Sequence, residues 1–274
     1  MSQKNLNVQN KTHKFLLDKL KDKRTLRIYK KFKKNLQINK SVIVAVSGGP
    51  DSLALSFLTK IYSLKKSLDV KYFIVDHGLR KNSTTEAKSV QKLLKKFSIN
   101  LNILTWKGSK PQKNIQSISR DKRYELLINK ANKFKIKNIL LGHHLDDLFE
   151  NFFIRMLRGS GLKGLVSLNK KSKLDNINLF RPLLDQKKDD LEFLSKYVFN
   201  FYVKDPTNND EKYQRIKIRK LIFKLKKNGL DLKKFYNTIE NLKYSNTVIE
   251  NYVDENIKRN TFFSKIENKL ILNK

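Results

Sequence analysis

Six consecutive residues, Ser47-Gly48-Gly49-Pro50-Asp51-Ser52, bring together two hydroxyls, two glycines and one carboxylate. Glycine pairs let a backbone take unusual dihedrals and come close to a ligand. If a helix starts here, its free amide N–H groups and its dipole make an anion site, which Ser47 and Ser52 can supplement with hydroxyl hydrogen bonds. Asp51 has the wrong sign for an anion alone, so the site predicts an accompanying cation such as Mg²⁺. The same residues would also serve as a plain strand-to-helix turn with a capping Asp or Ser. Two nucleotide motifs are excluded: no Gly-Lys-Ser/Thr follows at Walker A spacing, and there is no Gly-x-Gly-x-x-Gly.

A second chemical centre is His143-His144-Leu145-Asp146-Asp147-Leu148-Phe149-Glu150-Asn151. On a helix His143 and Asp147 share a face, as do Asp147 and Glu150, and Asp146 and Glu150. Three readings fit this spacing: carboxylates stabilised by a helix N-terminus, a His/Asp/Glu metal site, or a pocket for a cationic substrate. Arg155-Met156-Leu157-Arg158-Gly159-Ser160-Gly161-Leu162-Lys163-Gly164 follows, a glycine-rich cationic stretch suited to phosphate, or equally a helix C-cap and turn at Gly159.

These groups need elements to hold them. Val42–Val46 reads as a short buried strand running into the Ser-Gly-Gly turn, and Leu53, Leu55, Phe57, Leu58 and Ile61 give the helix after it an apolar face. Val70–Val75 reads as a second strand ending in Asp76-His77-Gly78-Leu79-Arg80, residues 83–97 as a helix, and Leu101–Trp106 as a third strand. Asn114 to about Phe134 reads as a helix carrying Arg120, Arg123 and Tyr124, and Asn138–Leu141 as a fourth strand before Gly142-His143-His144. Alternating strands and helices predict an α/β fold, a doubly wound parallel sheet with its site at the carboxyl ends of the strands, and a smaller C-terminal helical domain. The expected division is a catalytic domain over residues 1–195, with 1–38 as a helical lead-in frayed over 1–11, and a basic, mostly helical domain over 196–274. Arg181-Pro182-Leu183-Leu184 reads as an extended joint, 187–198 as a helix, and Asp205–Asp210 as a polar turn whose Asn209 or Asp210 caps a basic helix to about Lys226. Residues 231–258 read as a helix with Leu232, Phe235, Tyr236, Ile239, Leu242 and Tyr244 facing inward, and Thr261–Leu272 as a hairpin.

Lys and Arg number 60 against 25 Asp and Glu among 274 residues, a formal charge of +35. A surplus that large predicts a polyanionic partner, nucleic acid first, although a lysine- and asparagine-rich composition inflates it. Cysteine is absent, which removes disulfides, thiolate metal sites and cysteine nucleophiles. No apolar run approaches the ~18–20 residues of a membrane span and no signal-peptide pattern opens the chain, so a cytoplasmic location without a membrane partner is expected.

The six-residue turn matches the SGGxDS loop of the N-type ATP pyrophosphatases, the PP-loop superfamily, which cut ATP between its α- and β-phosphates. In order, SGGPDS, VDHGLR, the Arg120-x-x-Arg123-Tyr124 helix, LGHHLDDLFEN, RMLRGSGLKGL, RPLL and DPTNNDEKYQRIKIR together resemble the tRNA(Ile)-lysidine synthetases over about residues 40–220. The resemblance implies that ATP adenylates the 2-carbonyl oxygen of the wobble cytidine in a CAU-anticodon isoleucine tRNA. Free L-lysine then attacks carbon 2 and AMP leaves. It implies that Ser47, Gly48, Gly49, Pro50, Asp51 and Ser52 hold pyrophosphate, with Asp51 on Mg²⁺. It places His77, Arg123, Gly142 and His143 around ATP, Asp147 and Glu150 on the lysine substrate, and Arg155, Arg158 and Lys163 near the tRNA. Asp51, Ser52, Arg123 and Asp147 are the catalytic set so implied, with His144 or a carboxylate taking the proton from lysine. Two departures stand out. Arg215-Ile216-Lys217-Ile218-Arg219 lacks the family's Asn, and about fifty residues follow Arg219, so the chain reads as a compact version. A homodimer is compatible with the sequence, which does not argue for one. Rival SGGxDS enzymes are less suited: tRNA thiolases need cysteines, and GMP or NAD synthetases leave the basic surplus and the LGHHLDD stretch unexplained. A non-catalytic RNA-binding protein would not need both chemical centres intact.

Overall fold

A computed structural model describes residues 3–80, 82–203, 214–264 and 269–272. The chain forms two compact units, Met1–Leu148 with Asn169–Asn208, and Phe149–Leu168 with Asn209–Lys274. Residues 149–168, assigned to the N-terminal domain on sequence, thus group with the C-terminal segment instead of following a single cut near residue 195.

The first unit is built on a sheet of order β3-β2-β1-β4-β6-β5, formed by β1 (Val42–Val46), β2 (Val70–Asp76), β3 (Leu101–Thr105), β4 (Asn138–Leu140), β5 (Lys171–Leu174) and β6 (Ile177–Phe180). Neighbours from β3 to β6 run parallel, and β5 pairs antiparallel with β6. The sheet is therefore mixed, not wholly parallel. The hairpin missed on sequence turns at Asp175 and Asn176, with Asp175 at φ 51°, the positive angle that a tight two-residue hairpin needs. Its lysine-rich outer strand is mostly exposed, which hid the alternation.

β1 shows why both faces of the sheet are covered. Val42, Val44 and Val46 join one core with Leu53, Phe57 and Leu58 of α3 (Pro50–Lys66) and Leu191 and Leu194 of α8 (Lys188–Phe199). Ile43 points the other way, into a core with Phe73, Leu104, and Tyr124 and Leu127 of α5 (Ile115–Lys133). An all-apolar strand is what burial on two faces requires. Helices α1 (Gln3–Asp18) and α2 (Lys23–Leu36), and α4 (Ser83–Lys95), lie on the first face through Leu16, Phe32 and Val90. From Gln3 onward the expected fraying is not what is found, since α1 is helical there, and Met1 and Ser2 lie outside the described residues.

Helix α6 (Leu145–Leu157) begins in the first unit and ends in the second. The second unit adds α7 (Leu162–Leu165), α9 (Gln214–Lys227), α10 (Leu232–Asn260), and a hairpin of β7 (Thr261–Ser264) and β8 (Lys269–Leu272). Phe149, Phe152 and Phe153 of α6 gather around Phe235, with ring centroids 5.0–5.3 Å away. These aromatics explain why the end of α6 belongs with the C-terminal helices: burying large rings is among the strongest driving forces available. Ile239 is fully buried, but Tyr244, expected on the inner face, is 77% exposed. The Asp205–Asp210 turn lies outside the described residues.

Candidate active site

β1 ends at Val46, Gly49 is the N-cap of α3, and Pro50 opens the helix, where a missing N–H is harmless. Ser52 Oγ organises the turn. It accepts the amides of Ser47 (3.0 Å) and Gly48 (3.1 Å) and the Ser47 hydroxyl (3.1 Å), and donates to the Gly49 carbonyl (3.0 Å). The hydroxyl expected to reach phosphate is thus buried inside the loop and fixes its shape. Gly48 has φ +85°, and a Cβ there would stand 2.8 Å from a Val90 methyl, so only glycine fits. Gly142, at the end of β4, packs against the start of α3; its Cβ would meet Ser52 N at 3.3 Å. The turns after β1 and β4 therefore touch at the carboxyl end of the sheet. Strand order reverses between these two strands, which is where open α/β sheets bind ligands.

The start of α6 is capped reciprocally. Asp147 Oδ2 accepts the His144 amide (2.9 Å), and His144 Nδ1 accepts the Asp146 amide (3.2 Å). A side chain three residues into a helix bonding back to the cap is the logic of a capping box. Because Nδ1 accepts, the ring proton sits on Nε2. That nitrogen lies 3.6 Å from Asp51 Oδ2 and 3.6 Å from Asp147 Oδ2. Burial raises the pKa of Asp51; His144 opposes this and Asp147 adds to it. Asp51 Oδ1 is buried and has no hydrogen-bond partner among the described residues, an oxygen suited to a cation. Among the described residues no three His, Asp or Glu side chains group closely enough to hold a metal by themselves. A Mg²⁺ ion shared with phosphates needs only one or two carboxylates, which Asp51 fits.

A third wall comes from β2 and α5. Asp76 accepts hydrogen bonds from the Gly78 amide (3.0 Å) and from the hydroxyls of Ser83 (2.8 Å) and Thr84. Burial alone would raise its pKa, but these bonds win and it is lowered. Asp76 thus fixes the turn that carries His77. Burial, then the charges of Arg123 and Lys110, push the His77 pKa down to about 4. Burial likewise lowers that of His143, with Asp147 opposing and Arg181, Arg120 and Arg123 assisting. Both histidines are neutral at pH 7, and the Nδ1 atom of each is buried without a partner. Arg181 Nη1 bonds to the Asn169 carbonyl and the Ser172 hydroxyl, both at 2.9 Å. Neutral imidazoles among arginines leave a positive, proton-poor wall, suited to polyphosphate.

A model of the PP-loop domain matches residues 20–226. The chain belongs to the PP-loop family. This PP-loop chain is 39% identical over 184 residues to a tRNA(Ile)-lysidine synthase of Orientia tsutsugamushi, covering 67% of this chain and 42% of that one. With the tRNA(Ile)-lysidine synthase of Bradyrhizobium diazoefficiens it shares 34% identity over 216 residues, 78% of this chain and 60% of that one. The chain thus spans about half the length of these relatives. Among solved structures, the U34-tRNA thiolase NcsA of Methanococcus maripaludis superposes with a TM-score of 0.69 at 19% identity, over 81% of this chain and 78% of that one, a likeness of fold.

Ser47, Gly48, Gly49, Pro50, Asp51, Ser52, Gly142, His143 and Asp147 of the PP-loop chain all lie at the carboxyl ends of β1 and β4, and His77 and Arg123 beside them at β2 and α5. Glu150, Arg155, Arg158 and Lys163 fall in the other unit. There Glu150 is 2% exposed and ion-paired with Arg219 of α9. Arg158 bonds Gln214 at 3.0 Å, and Lys163 pairs with Glu250 at 3.0 Å. Gly159, at φ +69°, ends α6: its amide bonds to the Met156 carbonyl, and that of Ser160 to Arg155. This is a Schellman cap, which is what the alternative reading of the stretch expected. Asp76 and Arg181 were missed as site-shaping residues. An Asp closing a strand just before His-Gly was a usable signal for the first; burial, invisible in sequence, decides the second.

Proposed function

We propose that this chain catalyses ATP-dependent formation of lysidine on the wobble cytidine of a CAU-anticodon isoleucine tRNA, with free L-lysine as the amine, in the cytoplasm. The observation that carries the reading is the pairing of two centres across one imidazole. The Ser47–Ser52 turn offers a phosphate grip, and His144 links its Asp51 to the acidic start of α6. A phosphate grip beside a carboxylate pocket is what joining an amine to an adenylated base requires. Identity to tRNA(Ile)-lysidine synthases and the +35 charge support an RNA substrate.

In the first half-reaction the cytidine 2-oxygen attacks the α-phosphorus of ATP, the bond to the β-phosphate breaks, and pyrophosphate leaves. Amides of the α3 start and Arg123 stabilise the charge that gathers on the phosphates. Asp51 would hold Mg²⁺, which neutralises phosphate charge when bound. In the second, the lysine side-chain amine attacks carbon 2, the carbon–oxygen bond breaks, and AMP departs. The amine proton must go to a base. His144 is unsuited, because Nδ1 already accepts the Asp146 amide and Nε2 carries the proton. Asp147 is the acceptor in this reading. Glu150, which the resemblance also gives to lysine, is ion-paired with Arg219 in the second unit.

The test is incorporation of radiolabelled lysine, with ATP, into isoleucine and methionine tRNAs that share the CAU anticodon. Lysine should enter the isoleucine tRNA alone. Intact tRNA binding without incorporation would instead make the chain an RNA-binding module. The absence of cysteine disfavours the chemistry of the thiolase with which it shares a fold.

A further inference from the structure

One cleft in the first unit has no part in the scheme above. It lies past the carboxyl end of β3, has a volume of about 460 Å³, and is lined by Trp106, Lys107, Ser109, Lys110, Ile118 and Lys122, with Gly108 and Pro111 between. Among the described residues no carboxylate lines it. Lys122 is paired with Glu125 at 2.7 Å, whereas Lys110 Nζ bonds to the Trp106 carbonyl (2.9 Å) and rests 4.3 Å from the centre of its ring. Trp106 lines the cleft although only 8% of the residue is exposed. Ile118 and, one helical turn before it, Ile115 are 39% and 43% exposed, an apolar strip on α5 beside the lysines. Trp106 also meets His77 edge to face, at 6.0 Å between ring centres, which places the cleft next to the wall of the candidate active site.

An aromatic side chain and an apolar strip flanked by ammonium groups is the surface that takes a nucleobase with its phosphate. A folded duplex does not offer such a base; an unstacked loop does. We propose that the cleft receives one nucleotide of single-stranded RNA, its base against Ile118, Pro111 and Trp106, and its phosphate against Lys107 and Lys110. Resting on the RNA reading above, it assigns the cleft to a neighbour of the modified nucleotide, held while that nucleotide is splayed into the site. A second lysine-lined cleft, at Lys30, Lys33, Lys34 and Lys66, does not serve as well. It sits at the C-terminal ends of α2 and α3, whose carbonyls already attract those cations.

Trp106 is the only tryptophan of the chain, so its emission reports on this cleft directly. The full chain is titrated with a CAU anticodon stem-loop, with a fully paired RNA, and with ATP alone. The stem-loop should change the emission, with or without ATP, and the paired RNA should not. Lys107→Glu with Lys110→Glu should raise the stem-loop Kd by about tenfold or more and flatten its salt dependence. Lys33→Glu with Lys34→Glu, the same change in net charge, should have a much smaller effect. No emission change with RNA, equal weakening in both double variants, or a full response to ATP that the stem-loop does not extend would overturn the assignment. Wild-type chain that responds to the stem-loop but incorporates no lysine would leave the cleft standing and remove the reading on which it rests.

Discussion

Asp51 and Asp147 each lie 3.6 Å from the same atom, Nε2 of His144, although they open different helices. One imidazole thereby ties the phosphate turn after β1 to the acidic turn after β4. Two carboxylates drawn toward one proton repel each other, and burial already disfavours charge on Asp51. This is destabilising for an empty site and becomes favourable when a cation enters. Asp51→Asn should therefore stabilise the ligand-free chain while abolishing ATP-dependent turnover. Thermal unfolding and a pyrophosphate-release assay read the two effects. A lower melting temperature would show that the charge of Asp51 supports the fold.

Asp147 has a different expected signature. If it receives the lysine amine, Asp147→Asn raises the KM for lysine at least tenfold and leaves the KM for ATP within a few-fold. The backbone bond to His144 survives in the variant, because the Asn side-chain oxygen can still accept it. Equal changes in both KM values would move Asp147 from the amine to the nucleotide.

Ser52→Ala tests the hub of the turn. It removes the acceptor for the Ser47 and Gly48 amides and the donor to Gly49 at once. Buried amides left without partners cost about 1–3 kcal/mol each, so the turn should reopen and rearrange. The expected result is a loss of about 10²-fold in kcat/KM for ATP, with tRNA affinity retained. Turnover close to wild type would show that the turn keeps its shape without the hydroxyl.

Much of this centre can be read from the chain. The apolar run Val42–Val46 before Ser-Gly-Gly announces a buried strand and a ligand turn, and the alternation of strand and helix announces the doubly wound sheet. The carboxylates at the start of α6, with Asp147 capping it, follow from residue type and spacing. What spacing could not give was which oxygen is already engaged. Ser52 looks like a phosphate donor in the sequence and is a loop organiser in the fold; Glu150 looks like a partner of Asp147 and is paired with Arg219, far along the chain. The β5–β6 hairpin was missed because lysines on an exposed edge carry no apolar period.

His77 gives a pH dependence with a definite sign. Its pKa falls from 6.5 to about 4 in the folded chain. Between those values the unfolded chain binds a proton that the folded chain refuses. The stability from this group is full above about pH 6.5 and lost as pH falls toward 4. His77→Asn should reduce the slope of the urea midpoint against pH across that window, compared with wild type. Because the ring is half-buried, the difference is smaller than the shift alone implies. Parallel curves for the two chains would mean that His77 titrates alike in both states.

Glu150 and Arg219 form a charge pair within the second unit, with the carboxylate almost fully enclosed and the guanidinium about one-third exposed. Removing one partner of such a pair weakens the compensation of the other charge, a loss of about 3–5 kcal/mol at most when both are buried. Solvent reaches Arg219, so Arg219→Gln should cost less, about 2–3 kcal/mol. The double variant Glu150→Gln with Arg219→Gln should be more stable than the sum of the singles, because the two side chains are in direct contact and their losses overlap. If the pair is also exchanged for substrate, lysine at saturating concentration should raise the melting temperature of the Arg219→Gln chain more than that of wild type, since the amine then supplies the missing positive charge. Equal shifts in the two chains would restrict Glu150 to holding α6 against α9.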